Sequence, residues 1–242
     1  MIQLGVVQCL MGPGWALTGL SAILGFDPWF IGGCLIKLTA SCLRVETGLS
    51  LVLALDRVKI VCKVKYPDAA LRVVTFLMWL YGLVQFIFLL TPFANMIASS
   101  DSISPKYDYN YPWTLTIQQI GYFYNLSTSF LTFLLYVAMV VYLVRQQRRM
   151  KLVTSQFKEK WILIQALVRY VFDATVTVLF HFGPMFFNPS PWITVAIMIG
   201  YIVNNIMLPP ILYLFLNRSL RNQVFGIAPD SGNSLFSKAT KA

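Results

Sequence analysis

The sequence has little that could carry out enzymatic chemistry or hold a metal ion. Its one histidine, His181, cannot build a histidine-rich metal site. The Gly-x-Ser-x-Gly nucleophile motif is absent, and so is Gly-x-Gly-Asp. We therefore expect no catalytic residue, no metal and no cofactor. Cysteine is also scarce, with four in the chain. Three of them are more typical of small apolar packing residues than of reactive thiols: Cys9, Cys42 and Cys62.

Charged residues are few, at 12 % of the chain, whereas 57 % of the residues are hydrophobic. A bilayer core about 30 Å thick requires about 20 consecutive apolar residues from a helix that crosses it. Glycine and proline gather at the ends of such runs, and the alternating pattern of barrel strands is missing. We predict an all-α membrane protein whose residues 1–216 form a bundle of six transmembrane helices. The predicted spans are Leu4–Gly25, Phe30–Leu55, Leu71–Met96, Trp113–Val144, Trp161–Gly183 and Trp192–Leu216.

The net charge of +10 could suggest a nucleic-acid partner, but the placement of the charges argues against one. Fifteen of the 19 lysines and arginines lie in three segments, at residues 57–72, 145–160 and from 218 onward. The alternate loops are almost free of them. Positive residues collect on the cytoplasmic side of membrane proteins. We predict a multi-pass plasma-membrane protein with both termini in the cytoplasm and the lipid bilayer as its surroundings.

The end of the second apolar run is the most informative stretch. It reads LSLVLALDRVKIVCKVKYP, so the apolar residues stop at Asp56-Arg57, lysines follow, and Pro67 lies ten residues past Arg57. This resembles the third-helix signature of rhodopsin-like G-protein-coupled receptors. The sequence near the last span, NNIMLPPILY, is similar to that family's Asn-Pro-x-x-Tyr, with Pro209 in place of the asparagine and with Pro210 and Tyr213 retained.

Two features of the mainstream receptors are missing. The segment Ile97–Pro112 has no cysteine that could meet Cys34 in a disulfide, and the sixth-helix motif Cys-Trp-x-Pro does not occur. This combination looks most like the nematode serpentine chemoreceptors, with the class within that group left open. The six spans then correspond to the second to seventh receptor helices, and the chain looks like a receptor lacking its first helix. A genuine six-helix protein is the alternative.

The resemblance implies coupling to a heterotrimeric G protein. Arg57 would meet the G protein when Asp56 releases it, and Glu159 is a possible second restraint on the arginine. Tyr136 and Tyr213 would restack beside it, and Pro210 would give the last helix a hinge. Residues 217–226 have the spacing of a short amphipathic helix on the membrane surface. Residues 227–242 are polar, which predicts a disordered cytoplasmic tail.

Five charged residues fall inside the spans, where charge is costly and by default suggests function. Arg169 and Asp173 are four residues apart and can pair on one helix face. Arg44 and Glu46 are two residues apart, so each needs a partner on another helix. One interpretation is a neutralised structural network. The other is a polar pocket for a small molecule from outside, with these candidate contacts: Lys37, Arg44, Glu46, Asp173 and His181.

Two functions from different classes remain. The first is a chemosensory receptor that senses a small molecule outside and activates a G protein inside. The second is a transporter or channel subunit that uses the intramembrane charges, although no inverted repeat is visible.

Overall fold

Six helical segments and one pair of short strands make up the described part of the chain. The computed structural model describes residues 2–27, 31–97, 105–150, 167–168, 170–180, 191–208 and 211. The helices are α1 (Ile2–Leu24), α2 (Ile31–Cys62), α3 (Asp68–Leu90), α4 (Thr114–Met150), α5 (Tyr170–Phe180) and α6 (Pro191–Ile202), and a π-helical turn, Val203–Met207, continues α6. The strands are β1 (Met96–Ile97) and β2 (Lys106–Tyr107).

The described helices agree with an all-α membrane protein. Three stretches are long and apolar enough to cross a bilayer, namely Ile31–Cys62, Asp68–Leu90 and Thr114–Gln146. Tyr170–Phe180 and Val195–Asn205 are shorter apolar helices, and α1 covers most of the first predicted span. The count of six crossings therefore stays a prediction. The amphipathic segment 217–226 and the tail 227–242 lie outside the described residues.

Helix α2 occupies the interior of the bundle. It packs against α1, α3 and α4. In its most apolar stretch 61 % of the residues are buried inside the protein, against 17 % in α3 and 22 % in α4. Helices α3 and α4 instead expose many large apolar side chains. In a membrane protein such side chains face lipid, so α2 is the helix best placed to carry buried polar groups.

The ends of α2 are set by local chemistry. At its start the carboxylate of Asp27 accepts hydrogen bonds from the backbone N–H groups of Gly32 (2.9 Å) and Gly33 (2.7 Å), which satisfies two donors of the first turn. At its end the helix continues to Cys62, seven residues beyond the predicted boundary at Leu55, because no glycine or proline interrupts it. It stops where Lys63 adopts a left-handed conformation, with a φ of 53°.

The third span is shorter than its hydropathy predicts. The predicted span ran to Met96, but α3 ends at Leu90. Pro92 follows, and proline disfavours helical geometry in the residue before it. Thr91 is accordingly extended, with its N–H bonded to the carbonyl of Phe88. Met96 belongs instead to β1, which pairs antiparallel with β2 in the register Met96 to Tyr107.

The strand pair lies against the helical bundle. β1 contacts α2, and β2 contacts α4. Met96 and Tyr107 are both buried, so the segment between α3 and α4 turns inward at these two positions. All four cysteines are free thiols.

Helices α1 and α2 approach closely at Gly14. A Cβ atom there would lie 2.8 Å from the carbonyl oxygen of Leu35 and 1.9 Å from the hydroxyl oxygen of Thr39. Small residues at a crossing let two membrane helices pack backbone to backbone. This contact brings α1, with Gln8 and Trp15, against the polar part of α2.

Candidate functional site: a cavity inside the helical bundle

A cavity of about 140 Å³ lies inside the bundle. Its walls come from α1, α2, α4, α5, α6, the π-helical turn and the strand pair. Three ionisable residues predicted from the sequence line it together, namely Arg44 and Glu46 on α2 and Asp173 on α5. Aromatic side chains form much of the remaining wall, including Trp15 and Tyr201, whose rings stack with centroids 6.0 Å apart. The cavity thus combines buried charge with apolar surface, as small-molecule sites do.

Arg44 is 6 % exposed and packs against α4. Its guanidinium occupies the space that a side chain at Gly121 would take, since a Cβ atom there would lie 2.6 Å from Nη2. The Nε atom has no hydrogen-bond partner within the described ranges. The backbone carbonyl of Arg44 accepts a hydrogen bond of 3.3 Å from the hydroxyl of Tyr124, also on α4. Helix α4 therefore holds both the backbone and the side chain of this residue in place.

Glu46 is 4 % exposed and faces α1. Its Oε1 atom accepts a hydrogen bond of 2.9 Å from Nε2 of Gln8. The sequence predicted that Glu46 needs a partner on another helix, and one partner that the structure shows is this neutral amide. Gln8 could not be predicted from the sequence, because nothing distinguishes this glutamine from the other polar residues within apolar runs.

Asp173 connects three helical elements. Its Oδ1 atom accepts a hydrogen bond of 3.0 Å from Nδ2 of Asn204, and its Oδ2 atom accepts one of 3.4 Å from the hydroxyl of Ser129 on α4. Its predicted partner Arg169 lies outside the described residues. Arg44 and Asp173 line the same cavity, yet no ion pair joins them in the part of the chain that the structure covers.

The π-helical turn Val203–Met207 places Asn204 and Asn205 at the site. Asn204 is almost fully buried and bonds to Asp173, and Asn205 lines the cavity. Pro209 and Pro210 follow in the sequence and have no N–H to offer the carbonyl groups one turn earlier. π-helical turns are often found at functional sites. The sequence drew attention to this motif for its prolines, and the asparagines were not predicted as site residues.

The remaining candidate residues are spread more widely. Lys37 is half-buried on α2 and does not line the cavity. Tyr136, predicted to act near Arg57, lines the cavity from α4. His181, Glu159, Pro210 and Tyr213 lie outside the described residues.

A second arrangement closes the connection between α2 and α3. Lys59 forms an ion pair with Asp68 and lies over the ring of Tyr66, 5.1 Å from its centroid. The Tyr66 hydroxyl donates a hydrogen bond to the carbonyl of Leu55. Burial raises the pKa of the Tyr66 phenol, and the nearby Lys59 ammonium opposes that rise. The phenol therefore stays protonated and can keep donating this bond at neutral pH.

Asp56 and Arg57 lie beside this arrangement, inside α2 and half-buried. The resemblance implied that Asp56 restrains Arg57. No ion pair joins the two side chains in the described portion of the chain. Asp56 instead lines a shallow surface groove with Lys59, Tyr66 and Asp68.

A known protein family matches most of the chain. The family model described as the serpentine type 7TM GPCR chemoreceptor Srt matches residues 28–231. The matched region takes in every described element from α2 onward and excludes α1. No curated protein and no solved structure matches the chain. The match confirms the resemblance to the serpentine chemoreceptors and identifies the class that the sequence left open. Since it covers most of the chain, the protein belongs to the Srt family of serpentine seven-transmembrane chemoreceptors.

Proposed function

We propose that the protein is a chemosensory receptor that binds a small molecule in the central cavity and activates a heterotrimeric G protein in the cytoplasm. The observation that carries this proposal is the family match over residues 28–231, which makes the chain a multi-pass membrane protein of a receptor family. The cavity supplies the place for the ligand, since it gathers three of the predicted polar candidates.

Ligand binding can alter the packing of several helices because the cavity is shared among them. Asp173 connects α5 to the π-helical turn and to α4 through side-chain hydrogen bonds. Arg44 and Glu46 connect α2 to α4 and α1. A ligand that bonds differently to these groups in two packings of the bundle shifts the equilibrium between the packings. This is the receptor mechanism in its simplest form.

In this proposal the G protein is activated at the Arg57 end of α2. Arg57 lies 13 residues beyond Arg44, which corresponds to about 20 Å along a helix. In the proposed active state Arg57 contacts the G protein, and Asp56 opposes that state. By the family resemblance Glu159 and Tyr213 act at the same end, and Pro210 acts as a hinge. The basic segments at residues 57–72 and 145–160 then face the cytoplasm, as do both termini, at the plasma membrane.

The experiment measures G-protein activation without any ligand. The full chain and its variants are expressed in cells, their surface levels are matched, and basal activation is recorded. We expect Asp56→Ala to raise basal activation, because by the family resemblance the Asp56 carboxylate opposes the active state. Arg57→Lys should abolish most of the basal activation, because an ammonium group lacks the planar fork of hydrogen-bond donors of a guanidinium.

The matched control is Lys65→Arg, the reverse exchange at an exposed position of the following loop. It keeps the charge and should leave activation unchanged. A protein that reaches the surface but activates no G protein in any of these forms would rule out the receptor proposal. Normal signalling by Arg57→Lys would reduce Arg57 to a determinant of topology.

A further inference from the structure

The charged groups of the cavity are not equally provided with hydrogen-bond partners. The two carboxylates accept bonds from neutral side chains, Glu46 from Gln8 and Asp173 from Ser129 and Asn204. The Arg44 guanidinium is as deeply buried as Glu46, yet within the described residues it forms no hydrogen bond and no ion pair. A buried guanidinium without a direct hydrogen bond or ion pair is costly, and a carboxylate matches it in shape.

Other lining side chains add to this excess of donors. Trp15 Nε1 and Asn205 Nδ2 are buried and have no acceptor among the described atoms, as is true of Arg44 Nε. Asn125 Oδ1 is the unpartnered acceptor found on the described lining. Among the buried unpartnered atoms of the described lining, three are donors and one is an acceptor. This excess favours a ligand that offers acceptors over one that offers donors.

We propose that the ligand of this cavity is a small carboxylate with a compact apolar or aromatic body. This inference rests on the proposed function and gives it a ligand class. The carboxylate accepts hydrogen bonds from Arg44, and the body lies against the aromatic wall of Trp15 and Tyr201. The cavity volume of about 140 Å³ is close to that of a protein cavity that holds benzene, about 150 Å³. A small ring compound such as benzoate is therefore a suitable probe.

The test uses three probes that share one body and differ in charge: benzoate, benzamide and benzylamine. Thermal unfolding of the purified full chain is measured in lipid nanodiscs with each probe at matched concentrations. We expect benzoate to raise the unfolding temperature, with benzamide weaker and benzylamine without effect. This comparison needs no variant, so a misfolded mutant cannot confuse it.

Two variants then assign the effect to the guanidinium. Arg44→Gln removes the charge and should weaken benzoate binding by about tenfold or more, the usual value of a hydrogen bond to a charged group. Gly121→Ala keeps the charge but forces the guanidinium to move, because the new methyl group would lie 2.6 Å from Nη2. Gly121→Ala should therefore also weaken benzoate binding. Gly12→Ala, where nothing lies within 4 Å of the added methyl, and Lys106→Gln, which removes an exposed charge, should bind benzoate normally.

The outcomes separate this inference from the proposed function. A shift with benzylamine that is lost in Asp173→Asn would overturn the inference and make the ligand a cation. The absence of a shift with benzoate and with smaller carboxylates such as butyrate would overturn it as well. Either result leaves the basal G-protein test with Asp56→Ala untouched. Conversely, binding of benzoate through Arg44 without any effect of Asp56 or Arg57 on a G protein would support this site and reject the receptor mechanism.

Discussion

The close approach of α1 and α2 at Gly14 gives a quantitative prediction. In Gly14→Ala the added methyl carbon would lie 2.8 Å from the Leu35 carbonyl oxygen and 1.9 Å from Thr39 Oγ1. The threonine could rotate away, at the expense of its hydrogen bond of 2.9 Å to the Leu35 carbonyl. The carbonyl belongs to the backbone of α2 and cannot rotate. It must recede by about 0.6 Å to reach ordinary van der Waals contact at 3.4 Å.

Overpacking of this kind typically costs about 1–3 kcal/mol, and the lost hydrogen bond adds about 1 kcal/mol. We therefore expect Gly14→Ala to lower the free energy of unfolding by about 2–4 kcal/mol. The matched control lies two residues away on the same helix. Nothing stands within 4 Å of a Cβ atom added at Gly12. Gly12→Ala should be neutral or stabilise the helix by up to about 1 kcal/mol, because alanine is the better helix former.

The assay is thermal unfolding of the detergent-solubilised full chain, followed by tryptophan fluorescence or by loss of the monomer peak in size-exclusion chromatography. Gly14→Ala should unfold several degrees below the wild type, and Gly12→Ala at or above it. Equal unfolding temperatures for the two variants would refute the reasoning, because they would mean that α1 does not pack on α2 at Gly14.

Three further predictions concern the cavity and the topology. Asp173→Ala and Asn204→Ala should be coupled by about 0.5–3 kcal/mol in a double-mutant cycle on stability, because the two side chains share a hydrogen bond. Arg44 and Asp173 share the cavity but no ion pair in the described part, so Arg44→Ala and Asp173→Ala should be coupled less strongly than Asp173→Ala and Asn204→Ala; stronger coupling would show that they pair. A glycosylation acceptor engineered at Ser102 should carry a glycan and one at Lys151 should not, because the basic segment at 145–160 is predicted to be cytoplasmic. A glycan at Lys151 would contradict the topology.

Hydropathy located the helices well and their ends poorly. Backbone polar groups in lipid must be hydrogen-bonded within a helix, so an apolar run long enough to cross the bilayer is expected to be helical. Helices α2, α3 and α4 accordingly coincide with predicted spans. The same rule does not say where a helix stops once it has left the apolar run. Helix α2 continues to Cys62 because no residue breaks the helix before that point. Helix α3 ends at Leu90 because Pro92 disfavours helical geometry in the residue before it. The strand pair was not anticipated, since a ladder of two residues depends on contacts with α2 and α4 rather than on local pattern.

The candidate site was predictable in its charges and not in its partners. Arg44, Glu46 and Asp173 could be selected because an ionisable side chain inside an apolar run needs a reason to be there. Their neighbours are Gln8, Asn204 and Gly121, which are neutral and 31–77 residues away in sequence.

Gly121 illustrates the limit most clearly. Gly121 leaves room for the Arg44 guanidinium. The sequence around a glycine does not indicate which side chain of another helix will pack against it.

The packing around Tyr124 limits how a signal can travel from the cavity to Arg57. The Tyr124 hydroxyl donates to the Arg44 carbonyl and contacts the sulfur of Met78 at 3.0 Å. The same oxygen would lie 2.6 Å from a Cβ atom at Gly48, one turn further along α2. Three helices are therefore locked together just beyond the cavity. Since packed contacts of this kind are bistable rather than deformable, we expect that a ligand at Arg44 in the proposed mechanism would move α2 as one body against α3 and α4. That movement would carry Asp56 and Arg57 with it.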